Sequence, residues 1–122
     1  MMNENKNILK NKSFAFAISC VKIFKHLTEA KKEFVLSKQL LRSGTSVGAN
    51  IREAHNAESK ADFIHKFGIA QKECDETIYW LELLHQSEYI SKEEFDSHCK
   101  DATEVLKMIR SSILTLKQKI NS

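Results

Sequence analysis

An all-α fold, an antiparallel up-down-up-down four-helix bundle, is the architecture this 122-residue sequence predicts. Three observations carry that prediction. The chain has no proline, only three glycines and no Asn-Gly or Asp-Gly pair, so it lacks the turn chemistry a β-rich fold repeats. Apolar residues recur at helical spacing in four segments separated by a few residues each. The last segment keeps a seven-residue repeat over its whole length. Short links make sequential helices neighbours of opposite direction. The length suits one domain over 1–122, because domains commonly run to about 100–150 residues.

The first helix is expected over 11–31. At about 100° per residue, Phe14, Ala17, Ile18, Val21 and Phe24 form one stripe, and Phe16, Cys20, Ile23 and Leu27 form a second on the opposite side. A helix packing only within its own domain needs one stripe. The second is therefore expected to meet a partner subunit.

The second helix is expected over 34–57, with Leu36, Leu40, Val47, Ile51 and Ala54 inward. Gly44 and Gly48 lie beside that stripe, each costing about 1 kcal/mol relative to Ala in a helix interior. A neighbouring backbone packed against them accounts for the cost; a kink around Ser43–Ser46 is the competing explanation.

The third helix, 59–87, opens on Ser59, whose hydroxyl can cap the first turn with Asp62 three residues on. Phe63, Phe67, Ala70, Cys74, Ile78 and Leu81 form its inward stripe. Ile69, Trp80 and Leu83 lie off that stripe and are expected to join the oligomer contact. The fourth helix, 92–120, follows the capping box Ser91-Lys-Glu-Glu94. Its stripe Phe95, Cys99, Ala102, Leu106, Ile109, Ile113, Leu116, Ile120 alternates spacings of four and three, the seam of a helix packing at a shallow angle.

Catalytic and metal chemistry find no place in these segments. Glu82-x-x-His85 and Asp62-x-x-His65 imitate the motif of di-iron bundles, but both sit on one helix about 30 Å apart. No pattern sets His55, His65, His85 or His98 beside Cys74, Cys99 or a serine with an orienting carboxylate. Gly-Thr-Ser-Val-Gly-Ala-Asn lacks the Gly-Lys-Ser/Thr ending of a phosphate loop. No catalytic residue, metal ligand or cofactor is expected.

Cys20, Cys74 and Cys99 match no zinc spacing and read as buried, reduced thiols. The apolar run Ser-Phe-Ala-Phe-Ala-Ile-Ser-Cys-Val is cut short by Lys22 and Lys25, which disfavours an export signal. No segment approaches the roughly 20 apolar residues of a membrane span. A cytoplasmic protein is the expectation.

Formal net charge is +3, with residues 1–31 carrying six Lys against two Glu and residues 59–90 a net −3. Lys100, Lys107, Arg110 and Lys117 form a basic ridge on one side of the fourth helix, with Asp101 and Glu104 on another. Lys22 and Lys25 make a smaller cluster on the first. Such a ridge is either a solvated face or a phosphate-contacting track, repeated around a symmetric oligomer.

The run Arg42-Ser-Gly-Thr-Ser-x-Gly-Ala-Asn-Ile-x-Glu-Ala54, then Ser59-Lys-Ala-Asp-Phe63, then Glu76-Thr-x-Tyr-Trp-Leu81 resembles the four-helix-bundle proteins encoded in intervening sequences of bacterial 23S rRNA genes. Those proteins are often labelled ribosomal-protein-like, and they resemble the accessory variability protein of diversity-generating retroelements. The resemblance spans Gln39–Leu84. It implies a protomer assembling into a ring, typically a homopentamer, and an association with nucleic acid or with an enzyme acting on it. It carries over no catalytic residue. Two functions are thus expected: an oligomeric bundle binding RNA or DNA backbone through its basic ridges, or a structural adaptor docking a protein partner.

Overall fold

The structure is a computed structural model that describes the backbone of residues 2–121 and the side chains of residues 6–120. Four helices account for it: α1 (Met2–Glu29), α2 (Leu36–Ala54), α3 (Lys60–Gln86) and α4 (Lys92–Asn121). Among the described residues there is no strand, and no helix is long and apolar enough to cross a membrane.

Helix α1 begins well before the expected Asn11 because its buried stripe extends backwards. Leu9 and Ser13 are buried with Phe16, Cys20, Ile23 and Leu27, alternating spacings of four and three. The helix stops where Lys32 turns left-handed (φ 55°) and the Glu33 N–H donates back to Leu27 O at 2.9 Å.

Helix α2 is shorter than 34–57 at both ends. Phe34 and Val35 stand in the turn before it. After Ala54, the N–H groups of His55, Asn56 and Ala57 each reach back only three residues, to Arg52, Glu53 and Ala54. Between those ends α2 is continuous, with no break at Ser43–Ser46. Thr45 Oγ1 donates to Leu41 O at 2.7 Å and Ser46 Oγ to Arg42 O at 2.6 Å, so these hydroxyls are satisfied without opening the helix.

Local chemistry explains the remaining boundaries. Ser59 Oγ accepts from Asp62 N at 3.0 Å and starts α3. Helix α3 ends with Glu88 left-handed (φ 66°), its N–H donating to His85 O and that of Tyr89 to Leu84 O. At α4, Ser91 Oγ accepts from Glu94 N while Ser91 N donates to Glu94 Oε1, both at 3.1 Å.

Each helix packs on its chain neighbours, and α4 closes on α1 over the least extensive contact; α1 and α3 lie diagonally, as do α2 and α4. The core falls into two clusters. One joins Leu9, Phe16, Val47, Ile51, Phe67, Val105 and Ile109, and the other joins Ile23, Leu27, Leu40, Leu81, Leu84 and Ile90. On α4 the seven-residue seam is fully buried only at Ala102, Leu106 and Ile109, and Ile120 is exposed.

Candidate interaction surfaces

Which stripe of α1 faces inward is decided by α2. Gly44 is buried, and a Cβ there would overlap Cys20 Sγ. Helix α1 thus inserts the Cys20 side into the notch. At Gly48 a Cβ would stand 3.3 Å from the Ser13 carbonyl oxygen, so the two backbones approach closely there as well. Thr77 of α3 locks the other side of α2, its Oγ1 2.9 Å from Ser43 Oγ and donating to Glu73 O at 2.7 Å.

This packing corrects the expected oligomer contact. Phe16, Cys20, Ile23 and Leu27 are core residues of one protomer and cannot touch a partner. Trp80 is half-buried against the second cluster, and Ile69 and Leu83 are half-buried. The uncovered stripe is the other one. Phe14 is 53% exposed and Ile18 43%. They line a groove of about 720 Å³ between α1 and α2 with Ala17, Val21, Gly48 and Ala49, rimmed by Lys10, Arg52 and Glu53. The Arg52 guanidinium lies 5.6 Å from the Phe14 ring centre. The continuation of the Phe16 stripe back through Ser13 to Leu9, at the same spacings of three and four, was the signal that would have put the stripes the right way round.

The basic candidates do not converge. Lys100, Lys107 and Lys117 are exposed on α4, but Arg110 reaches Asp75 Oδ2 at 3.7 Å. Glu104 holds Lys12 at 3.0 Å, and that hydrogen-bonded ammonium, with Lys100 and Lys107 nearby, keeps its carboxyl below the usual range. Carboxylates therefore interrupt the α4 ridge. Lys22 and Lys25 are exposed on α1, about three turns beyond Lys12.

A further surface lies at the α1–α2 corner. Glu33 accepts from the N–H groups of Val35 (3.2 Å), Leu36 (3.0 Å) and Ser37 (2.7 Å). Burial alone would raise its carboxyl, but the backbone donors of Leu36, Ser37 and Val35 outweigh that and hold it below the usual range. The Ser37 hydroxyl in turn donates to Glu33 O at 2.8 Å. This hydrogen-bonded turn leaves Phe34 (52% exposed) and Val35 (70%) outward, between Lys31, Lys32 and Lys38 in the chain. Sequence periodicity assigned Phe34 to α2 and so missed it.

Cys20, Cys74 and His55 behave as packed groups. Cys99, expected to be buried, is only half-buried because its stretch of α4 is less covered, and His26 and His65 are exposed. Burial, and then the neighbouring Cys74, pushes the Cys20 thiol up to about 12. Burial, followed by Asp75, takes Cys74 to about 12. Both therefore stay protonated and act as small hydrophobes. His55, edge-on to Phe63 at 5.8 Å, is lowered to about 4 by burial and by Lys6 and Lys10. Among the described residues no group of three His, Cys, Asp or Glu side chains could hold a metal ion.

A family model described as 23S rRNA-intervening sequence protein matches residues 5–111, which include the Gly44–Gly48 notch, the groove and the corner. The chain belongs to that family. A crystal structure of a protein of unknown function from the S23 ribosomal protein family, from Bacteroides thetaiotaomicron, superposes with a TM-score of 0.89 at 54% identity, covering 89% of this chain and 97% of that one. No curated protein matches. The turns of α4 after residue 111 lie outside the family match, and they include the exposed Leu114 and Ile120.

Proposed function

We propose that the protein is a non-enzymatic helical assembly protein of the cytoplasm. Its antiparallel protomers join head to tail into a ring, a homopentamer, whose lysine-bearing surface holds RNA or DNA by the backbone or seats an enzyme acting on it. The observation that carries this reading is the apolar groove around Phe14 and Ile18, which one protomer leaves uncovered. The antiparallel sense is supported by the pairings of Ser13 with Gly48 and Cys20 with Gly44, and of Ser43 with Thr77 and Glu53 with Lys66. In each set one number rises as its partner falls. Ile69, Tyr79 and Leu83 stand on the outer side of α3, diagonal to α1. A groove on one side meeting an apolar patch on the opposite side is a heterologous contact, which generates a ring when its rotation closes. The subunit number is the one the family resemblance implies. Free thiols at Cys20, Cys74 and Cys99 suit a reducing compartment.

Light scattering at micromolar concentration tests the assembly. A mass several times the 14.0 kDa protomer is expected for the native chain, and a protomer mass for Ile18→Glu. A native protomer mass overturns the ring. Electrophoretic shifts at several salt concentrations test the nucleic-acid reading, which fails if no shift occurs at low salt. The second reading, a protein-docking adaptor without nucleic acid, is favoured by Glu104 and Asp75 interrupting the α4 ridge. A stoichiometric protein recovered after nuclease treatment would support it.

A further inference from the structure

We propose that the α1–α2 corner is a binding tip for single-stranded nucleic acid. Phe34 stacks on an unpaired base, and Lys31, Lys32 and Lys38 hold the flanking phosphates. The inference rests on the nucleic-acid reading above and moves its centre away from the α4 ridge.

The corner is one of the basic stretches of the chain, and the one where the lysines flank an exposed ring in a turn. Residues 22–38 contain Lys22, Lys25, Lys31, Lys32 and Lys38 against Glu29 and Glu33, a net +3. Unlike Arg110 and Lys12, these five lysines make no ion pair among the described residues. Glu33 is occupied with the first N–H groups of α2 and offers the lysines little competition. For the same reason the helix N-terminus is not what holds a phosphate; the ammonium groups are.

The aromatic ring is equally specific. Phe14 has Arg52 over its face, whereas Phe34 makes no ring contact among the described residues. Any polar residue at 34 would let Glu33 cap α2 equally well, so the turn does not need an exposed ring. An open ring among unpaired lysines is the combination that binds unpaired strands, because every base has a face to stack and a phosphate beside it. A duplex hides those faces. A lipid surface would gain only Phe34 and Val35, too little apolar area for firm attachment.

The test is fluorescence anisotropy with a labelled oligouridine of about 20 nucleotides, the matching duplex, and phosphatidylserine vesicles as competitor. Native protein is expected to prefer the single strand. Phe34→Ala should weaken binding about tenfold without changing its salt slope, and Phe34→Tyr should restore it. Lys31→Glu with Lys32→Glu should flatten the slope. Phe34 is exposed, so melting of the Phe34→Ala variant is expected to match the native chain. Strand binding indifferent to Phe34→Ala overturns the tip and leaves the nucleic-acid reading standing. Duplex binding without strand binding overturns the tip alone, and binding of neither at low salt overturns both. Vesicle binding that Phe34→Ala abolishes, with oligouridine unaffected, overturns the tip in favour of a lipid surface.

Discussion

The two apolar stripes of α1 are close to equal in content and opposite in fate. Phe16, Cys20, Ile23 and Leu27 are buried, whereas Phe14 and Ile18 stand half in water. Phenylalanine and branched residues occur in both, so hydrophobicity does not separate them. The difference lies in α2. Gly44 leaves a notch that admits Cys20, and the Ser13 backbone settles over Gly48. On the other side, Gly48 and Ala49 are too small to reach across and cover Phe14 and Ile18. A stripe is thus buried by the shape of what faces it, and the stripe left over becomes the surface available to another copy.

The largest effect that can break this comparison is Phe16→Ala. It is expected to cost about 3–5 kcal/mol in denaturant unfolding, because it empties a buried site. Phe14→Ala is expected to cost the isolated protomer under about 1 kcal/mol. Equal losses would mean that the two stripes are not distinguished by burial.

Next is Gly44→Ala, whose Cβ would overlap Cys20 Sγ. We expect a loss of about 1–3 kcal/mol from overpacking, recovered in large part by adding Cys20→Ala. A double variant no more stable than Gly44→Ala would remove the notch as the reason for the choice of stripe.

A smaller effect is expected at the corner. Glu33→Ala should cost about 1 kcal/mol at neutral pH by freeing the first N–H groups of α2. The folded carboxyl lies below its usual value. The native advantage over the variant is therefore complete above the unfolded carboxyl's value of about 4.3, and is lost as pH falls through the folded one. Thermal melts of both chains from pH 7 downward check the sign.

The smallest effect has the opposite sign. A Cβ at Gly68 meets nothing within 4 Å, so Gly68→Ala should stabilise α3 by about 0.5–1 kcal/mol. A loss there would mean that Gly68 is covered after all.

Features that depend on residues a few positions apart were legible in the chain. The Ser59 cap and the Ser91–Glu94 box start α3 and α4 with the hydrogen bonds their spacing implies. Four helices, with no strand among the described residues, also follow from local pattern. Helical phase alone, however, gave α1 two equivalent faces, and the reading that sent Phe16, Cys20, Ile23 and Leu27 outward chose the wrong one. Phe34 and Val35 were misread for a related reason. The helix was started at 34 without knowing that Glu33 caps α2 and leaves both residues in the turn before it.

By itself, then, the sequence determined the helices, their caps and the supply of apolar and basic side chains, because these are set by neighbours within about one turn. Only the tertiary structure decided which α1 stripe is covered, which cations are already paired and which aromatic ring stands open. Those outcomes depend on steric fit and charge between residues far apart in the chain, such as Cys20 with Gly44 and Asp75 with Arg110.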